Sequence, residues 1–167
     1  MTRELAAVIM LAALVVLLVL IWRGWSNRVG RYRDLPDMLP ASALTTPPDK
    51  LFVLFYVATT EVGQPLDRVA RAPLAFRAKT TLGTSAEGIV LQIPGEGDVA
   101  IAAWQLLGVG RATWTIDRVV DSDGLIFLRW RWGNLDVDSY FRSVDYPADD
   151  VVAAIESALP DTAQEDV

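Results

Sequence analysis

Asp136 and Asp138 are the carboxylates whose spacing suits general acid–base chemistry, since residues two apart on a strand share a face. The surrounding sequence places cations against them. Gly133-Asn134 reads as a two-residue hairpin turn between two alternating runs, which sets Trp132 opposite Leu135, Arg131 opposite Asp136, Trp130 opposite Val137 and Arg129 opposite Asp138. A neighbouring guanidinium lowers a carboxyl pKa, the wrong direction for a proton donor. The two pairs therefore read as exposed cross-strand ion pairs, each worth little to stability. Gly95-Glu96-Gly97-Asp98-Val99-Ala100 has the letters of the dinucleotide motif G-x-G-x-x-A. That motif needs a strand before it and a helix N-terminus after it. Here two acids occupy the phosphate nest and strand-like sequence follows, so it reads as a hairpin turn. Asp121-Ser122-Asp123-Gly124 matches the start of a calcium loop, but the spacing would require a carboxylate where Trp132 stands. Trp104, Trp114, Trp130 and Trp132 have the chemistry of an aromatic cleft. Their spacing on alternating strands fits a sheet core instead.

The chain has no Cys and no His. That removes thiol nucleophiles, thiolate and imidazole metal sites, disulfides and any Ser-His pair. There is no P-loop, and no residue is assigned a catalytic, cofactor-binding or metal-ligating role. No cofactor is expected, and turnover is not. A net charge of −6 argues against nucleic acid as a partner.

The charge is divided along the chain. Residues 1–33 carry five Arg against Glu4, while residues 34–167 carry ten basic and twenty acidic side chains. Leu5 to Trp22 holds no charge and no strongly polar group. Eighteen such residues make a helix of roughly 27 Å, close to the hydrocarbon thickness of a bilayer. The start, Thr2-Arg3-Glu4, is nearly neutral, and Trp22-Arg23-Gly24-Trp25 makes a poor cleavage site and a good stop, so an anchor is expected rather than a cleaved leader. Arg23, Arg28, Arg31 and Arg33 follow the helix, whereas Arg3 precedes it. The positive-inside rule then puts the N-terminus outside and the remainder in the cytoplasm, at the plasma membrane. Trp22, Arg23, Trp25, Arg28, Arg31 and Arg33 are the expected membrane-interface residues, and residues 5–22 the segment in contact with the lipid bilayer.

Residues 1–33 thus form a transmembrane anchor with a cationic juxtamembrane segment. Residues 34–50, with Pro36, Pro40, Pro47 and Pro48, read as an extended linker with at most one turn. Residues 51–160 form the β domain and 161–167 a tail. Leu51–Ala58 is apolar on both faces, suited to a strand covered on both sides. Leu74, Phe76, Ala78, Thr80 and Leu82 alternate with polar or small residues as a half-buried strand, and Ile89, Leu91 and Ile93 repeat the pattern. Shorter strands fall near 99–102 and 106–111. Ser122-Asp123-Gly124 fits a three-residue loop. Such a loop sets Asp121 against Leu125, Trp114 against Trp132, Ile116 against Trp130 and Asp117 against Arg129. Ile126, Leu128, Trp130, Trp132, Leu135, Val137 and Phe141 then share the inner face. In the closing helix Asp145 is the expected cap and Pro147 lies in the first turn. Val151, Val152, Ile155 and Leu159 form its apolar stripe, and Pro160 stops it. The expected fold is one transmembrane helix plus about seven antiparallel strands in a bent sheet or small barrel, with a C-terminal amphipathic helix.

These features carry a resemblance: the apolar helix ending in Trp22-Arg23-Gly24-Trp25, the hairpin with Asp123-Gly124-Leu125 and Arg129-Trp130-Arg131-Trp132, Ser139-Tyr140-Phe141-Arg142, and the terminal helix. Over nearly the whole chain the sequence resembles actinobacterial single-pass membrane-anchored proteins with a bacterial PH-like domain. Members of that group lie beside pyrimidine-biosynthesis genes and carry exporter or transporter labels. The resemblance implies a PH-like barrel and supplies no catalytic residues. It supplies no phosphoinositide site either, because the corresponding loop, Glu61–Arg71, has only Arg68 and Arg71 as cations. A non-enzymatic interaction or scaffold module that binds a protein partner is the expected function. An accessory subunit of a membrane transport complex is the alternative.

Overall fold

The structure is a computed structural model that describes residues 3–32, 34–112, 114–115, 118–119 and 125–160, without the side chains of 27–29, 31, 114–115 and 118–119. It comprises two units, Met1–Asp34 and Leu35–Val167. The expectations for the side chains of Arg28, Arg31 and Arg33, for Asp117 and Asp121, for the 122–124 loop and for the tail lie outside the described residues.

The first unit is one helix, α1 (Arg3–Arg31). Within it Arg3–Ser26 is long and apolar enough to cross a membrane, and none of it is buried in protein. At about 1.5 Å per residue this segment is roughly 36 Å long. It is apolar all round, so no stripe directs it onto a protein core.

The second unit is built from β1 (Leu39–Pro40), β2 (Lys50–Glu61), β3 (Gln64–Arg68), β4 (Ala78–Ser85), β5 (Gly88–Ile93), β6 (Gly97–Ala102), β7 (Leu106–Ala112), β8 (Trp114–Thr115), β9 (Arg118–Val119), β10 (Leu125–Trp132), β11 (Leu135–Arg142) and α2 (Ala148–Glu156). The antiparallel ladder runs β1-β6-β5-β4-β2-β11-β10-β7, and β3 folds back on β2. Strand β2 serves both halves: residues 50–56 pair with β4 and residues 55–61 with β11, with a register shift opposite Tyr140/Phe141. A bulge of this kind bends a strand and increases its twist, which is how one strand enters two sheet halves. At the other side β6 passes to β7 through a short 3₁₀ turn, Ala103–Gln105. The Gln105 side chain straps that junction: its Oε1 accepts from Ala102 N–H at 3.0 Å and its Nε2 donates to the Arg131 carbonyl at 3.1 Å.

The Gly133-Asn134 hairpin pairs as expected, Trp132 with Leu135 through Arg129 with Asp138. Gly133 takes φ +64°, a conformation open mainly to glycine. Ile126, Leu128, Trp130, Trp132, Val137 and Phe141 are all buried, and the Trp130 and Trp132 rings stack at 5.4 Å. Full burial of side chains of this size contributes about 1.5–3 kcal/mol each. Helix α2 buries Val151, Ala154 and Ile155 and packs on β7 and β10; it ends at Glu156, so Leu159 is buried beyond the helix and Pro160 is not what stops it.

Several expectations are corrected. The second partner of β10 is β7, not the 114–121 segment: Trp130 pairs with Leu106, Arg129 with Gly108 and Leu125 with Ala112. A strand has two edges, and β11 and β7 occupy both. The Phe127 ring lies across Gly110, where a Cβ would fall 2.7 Å from it, so glycine suits this edge. Trp114–Thr115 instead pairs with Arg118–Val119.

The Pro-rich stretch belongs to the domain. Leu35 is buried and Trp132 Nε1 donates to the Pro36 carbonyl at 2.8 Å. Leu39–Pro40 pairs with β6, and Thr45 and Thr46 donate to the Glu87 carboxylate, whose pKa these bonds lower to about 2. Prolines preclude a continuous ladder but leave carbonyls and flanking side chains free to bond.

The strand expected from Leu74 starts at Ala78; Leu74 is buried but Phe76 is 75% exposed. Pro147, not Asp145, is the N-cap residue of α2, and Val152 is only half-buried.

Candidate functional site

Three clusters of side chains are candidates, and sequence chemistry singled out the first. The first is the outer face of β10 and β11. Arg129 donates through Nε and Nη2 to both oxygens of Asp138, at 2.8 and 3.0 Å. Arg131 does the same to Asp136, at 2.7 and 3.1 Å. The hydrogen bond from Arg131 holds the Asp136 carboxyl below its ordinary range. The pairs differ in burial. Asp136 is 40% exposed, but the Asp138 side chain is 9% exposed, so its pair is not the surface contact expected. Asp138, Arg129, Tyr140, Phe127 and Arg111 line a cavity of about 250 Å³. Arg111 is bound to Asp149 at 3.1 Å, and burial raises the Tyr140 phenol. Arg129 and Arg131 each hold both oxygens of their carboxylate, which suits an ordered polar face rather than proton transfer.

The second cluster is internal. Tyr56 Oη lies 2.9 Å from Thr59 Oγ1 and 2.8 Å from the Leu74 carbonyl, and burial pushes its pKa to about 12. Thr59 Oγ1 and Ser139 Oγ are 2.7 Å apart, and Trp130 Nε1 donates to Ser139 at 2.9 Å. Thr59 and Ser139 have no exposed surface. A hydroxyl enclosed this way satisfies core polar groups and presents no nucleophile. Nothing in the spacing of residues 56, 59, 130 and 139 pointed to this cluster, because their proximity comes from two separate ladders.

The third cluster was missed as a surface. Leu51 and Phe55 lie on the outer face of β2, 58% and 46% exposed. The expected cover on both faces is therefore absent: Phe52, Leu54 and Tyr56 are buried on the inner face, and the other face meets solvent. Phe55 is paired with Lys79 on β4 and Arg142 on β11, and directly paired residues share a face. Lys79 also borders a shallow concavity of about 650 Å³ with Val53, Thr81, Gln92 and Asp98. The signal was present in the doubly apolar run 51–58, but sequence could not tell an internal cover from an external one.

The remaining expected positions are reported as follows. Trp22 and Trp25 are each 66% exposed and Arg23 is exposed, at the end of the apolar span. Three residues apart, the two indoles lie on one side of the helix. The segment 61–71, expected as a loop, contains β3, and beyond it Arg71 is bound to Asp37 at 2.8 Å. Gly95 and Gly97 form the β5–β6 hairpin turn with φ +88° and +89°, leading into a strand and not a helix. Among the described residues, no three carboxylates converge as metal ligands.

No curated protein matches the chain. The sheet of seven long antiparallel strands, closed by a terminal helix, agrees with the match of the bacterial PH domain-like family model to residues 34–156, which also takes in the Pro-rich stretch; the chain belongs to that family.

Proposed function

We propose that this protein is a membrane-anchored, non-enzymatic interaction module. Residues 5–22 cross the plasma membrane, with the N-terminus outside and the PH-like domain in the cytoplasm, where it binds another protein through the outer face of β2. The observation behind the partner is the apolar surface left open at Leu51 and Phe55, edged by Lys79 and Arg142. A partner that presents apolar and acidic side chains fits this face. The topology is supported by Arg23, Arg28, Arg31 and Arg33 following the apolar span, against Arg3 before it. The fold alone does not assign an activity.

In-cell crosslinking of the full chain followed by mass spectrometry tests the partner. A reproducible neighbour that is lost from the Leu51→Thr/Phe55→Thr double variant is the expected result. The same neighbours in both chains, or none, would overturn it. Blue-native electrophoresis of the same samples separates a small pair from a large transport complex, the outcome that would favour the accessory-subunit alternative. Labelling of Lys50 or Lys79 by an impermeant amine reagent in intact cells would reverse the topology.

A further inference from the structure

Arg129 and Arg131 use their guanidinium groups in the same way. Each turns the edge that carries Nε–H and Nη2–H toward an aspartate and donates to both of its oxygens. Two parallel donors on one planar edge match the two oxygens of a planar carboxylate. Arg68, the last residue of β3, has the same edge without such a partner. Its Nε and Nη2 are buried and meet no hydrogen-bond acceptor, and among the described residues it is the one charged side chain left so. No ion pair joins it to Asp67 or to any other described carboxylate.

The groups around Arg68 supply no countercharge. Its guanidinium lies close enough to the Tyr56 phenol to bear on its ionisation, but burial dominates and holds that phenol neutral near pH 7. The phenol oxygen is already engaged, 2.8 Å from the Leu74 carbonyl and 2.9 Å from Thr59 Oγ1. A guanidinium keeps its proton in a protein, so Arg68 remains a cation. A buried charge whose donors are unmatched is costly, and an anion that fills them removes that cost. Residues 69–77, which lead from Arg68 toward β4, belong to no helix or strand. Val69 and Leu74 within them have no exposed surface, and the Leu74 carbonyl closes on Tyr56. A segment of this kind opens locally at less cost than a sheet does.

We propose that Arg68 anchors a site for a small free carboxylate, which takes the Nε–H and Nη2–H edge as Asp138 takes that of Arg129. The edge is enclosed, so the ligand has few atoms beyond its carboxylate, and it enters by local opening of residues 69–77. Chloride matches the charge but offers no second oxygen to the fork. This inference rests neither on the proposed protein partner at β2 nor on α1 crossing a bilayer.

The test uses the full chain in mild detergent. Sodium acetate is the probe, acetamide its neutral counterpart and sodium chloride the control at equal ionic strength. The arginine Nε–Hε signals are followed by NMR, the Arg68 signal being the one missing from Arg68→Lys and the Arg129 signal the one missing from Arg129→Lys. Acetate is expected to move the Arg68 proton saturably downfield, toward the position of Arg129, and acetamide and chloride are not. Acetate at millimolar concentration is also expected to raise the thermal unfolding midpoint by several degrees, an effect absent from Arg68→Met. No saturable shift, or the same shift with chloride, would overturn the proposal. So would an Arg68 proton that already stands at the Arg129 position without acetate, since the edge would then be matched within the protein. An equal rise of the midpoint in Arg68→Met would place the acetate elsewhere and overturn it as well. If neither Arg68 variant folds, the native chain still decides: a midpoint that responds alike to acetate and to chloride refutes the site.

Discussion

The outer faces of β10–β11 and of β2 both meet solvent, but they treat it differently. On β10–β11 every ladder position from 129 to 131 that points outward carries a guanidinium, and each guanidinium is bonded to a carboxylate directly across the hairpin. That face is complete without a partner. On β2, Leu51 and Phe55 have no comparable cover from their own domain. Apolar area of this kind gains about 25 cal/mol for each Å² removed from water. A self-paired polar face gains little from being covered and costs desolvation. An open surface in a structure is therefore informative by its chemistry and not by its exposure alone.

The sharpest way to break this comparison is Arg129→Ala. It leaves the Asp138 carboxylate mostly buried and without its bidentate partner, so we expect a loss of about 1–3 kcal/mol, read as a lower urea midpoint of the full chain in mild detergent. A change no larger than that of Arg131→Ala would show that the two ion pairs are equivalent. A smaller effect comes from pH. Arg131 holds the Asp136 carboxyl below its ordinary value near 3.8, so the stability from this pair is complete above that value. It is lost as pH falls through the lowered folded value. Arg131→Ala should flatten this part of the acid limb while changing stability little at neutral pH. An unchanged acid limb would mean that the bond does not form in solution. The smallest effect is expected on β2. Leu51→Thr and Phe55→Thr keep strand propensity and remove exposed apolar surface, so unfolding should shift by no more than about 1 kcal/mol while the crosslinked neighbour disappears. A large loss of stability would mean that these side chains serve the domain itself.

What could be read in advance follows from how local each interaction is. The 129–138 register was legible because a two-residue turn sets it, and the inner face of Ile126, Leu128, Trp130 and Trp132 came with it. The choice of β7 over the 114–121 segment was not legible. Both segments precede β10 with alternating apolar residues, and in the pair that forms Phe127 lies over Gly110. The Pro36 carbonyl bonded to Trp132 was equally hidden, since its partner lies 96 residues away. Likewise, nothing local distinguishes exposed Trp104 from buried Trp130.

By itself the sequence determined an opening helix with no polar face and a hairpin with charges on one side. In both, neighbours within a few residues satisfy the backbone and fix the pattern. Only the tertiary structure decided which strand closes on β10, that the proline-rich stretch joins the sheet, and that β2 keeps one apolar face open. Those outcomes depend on contacts between distant segments, where the shape of the completed sheet, and not the alternation of any one strand, sets which side chains are covered.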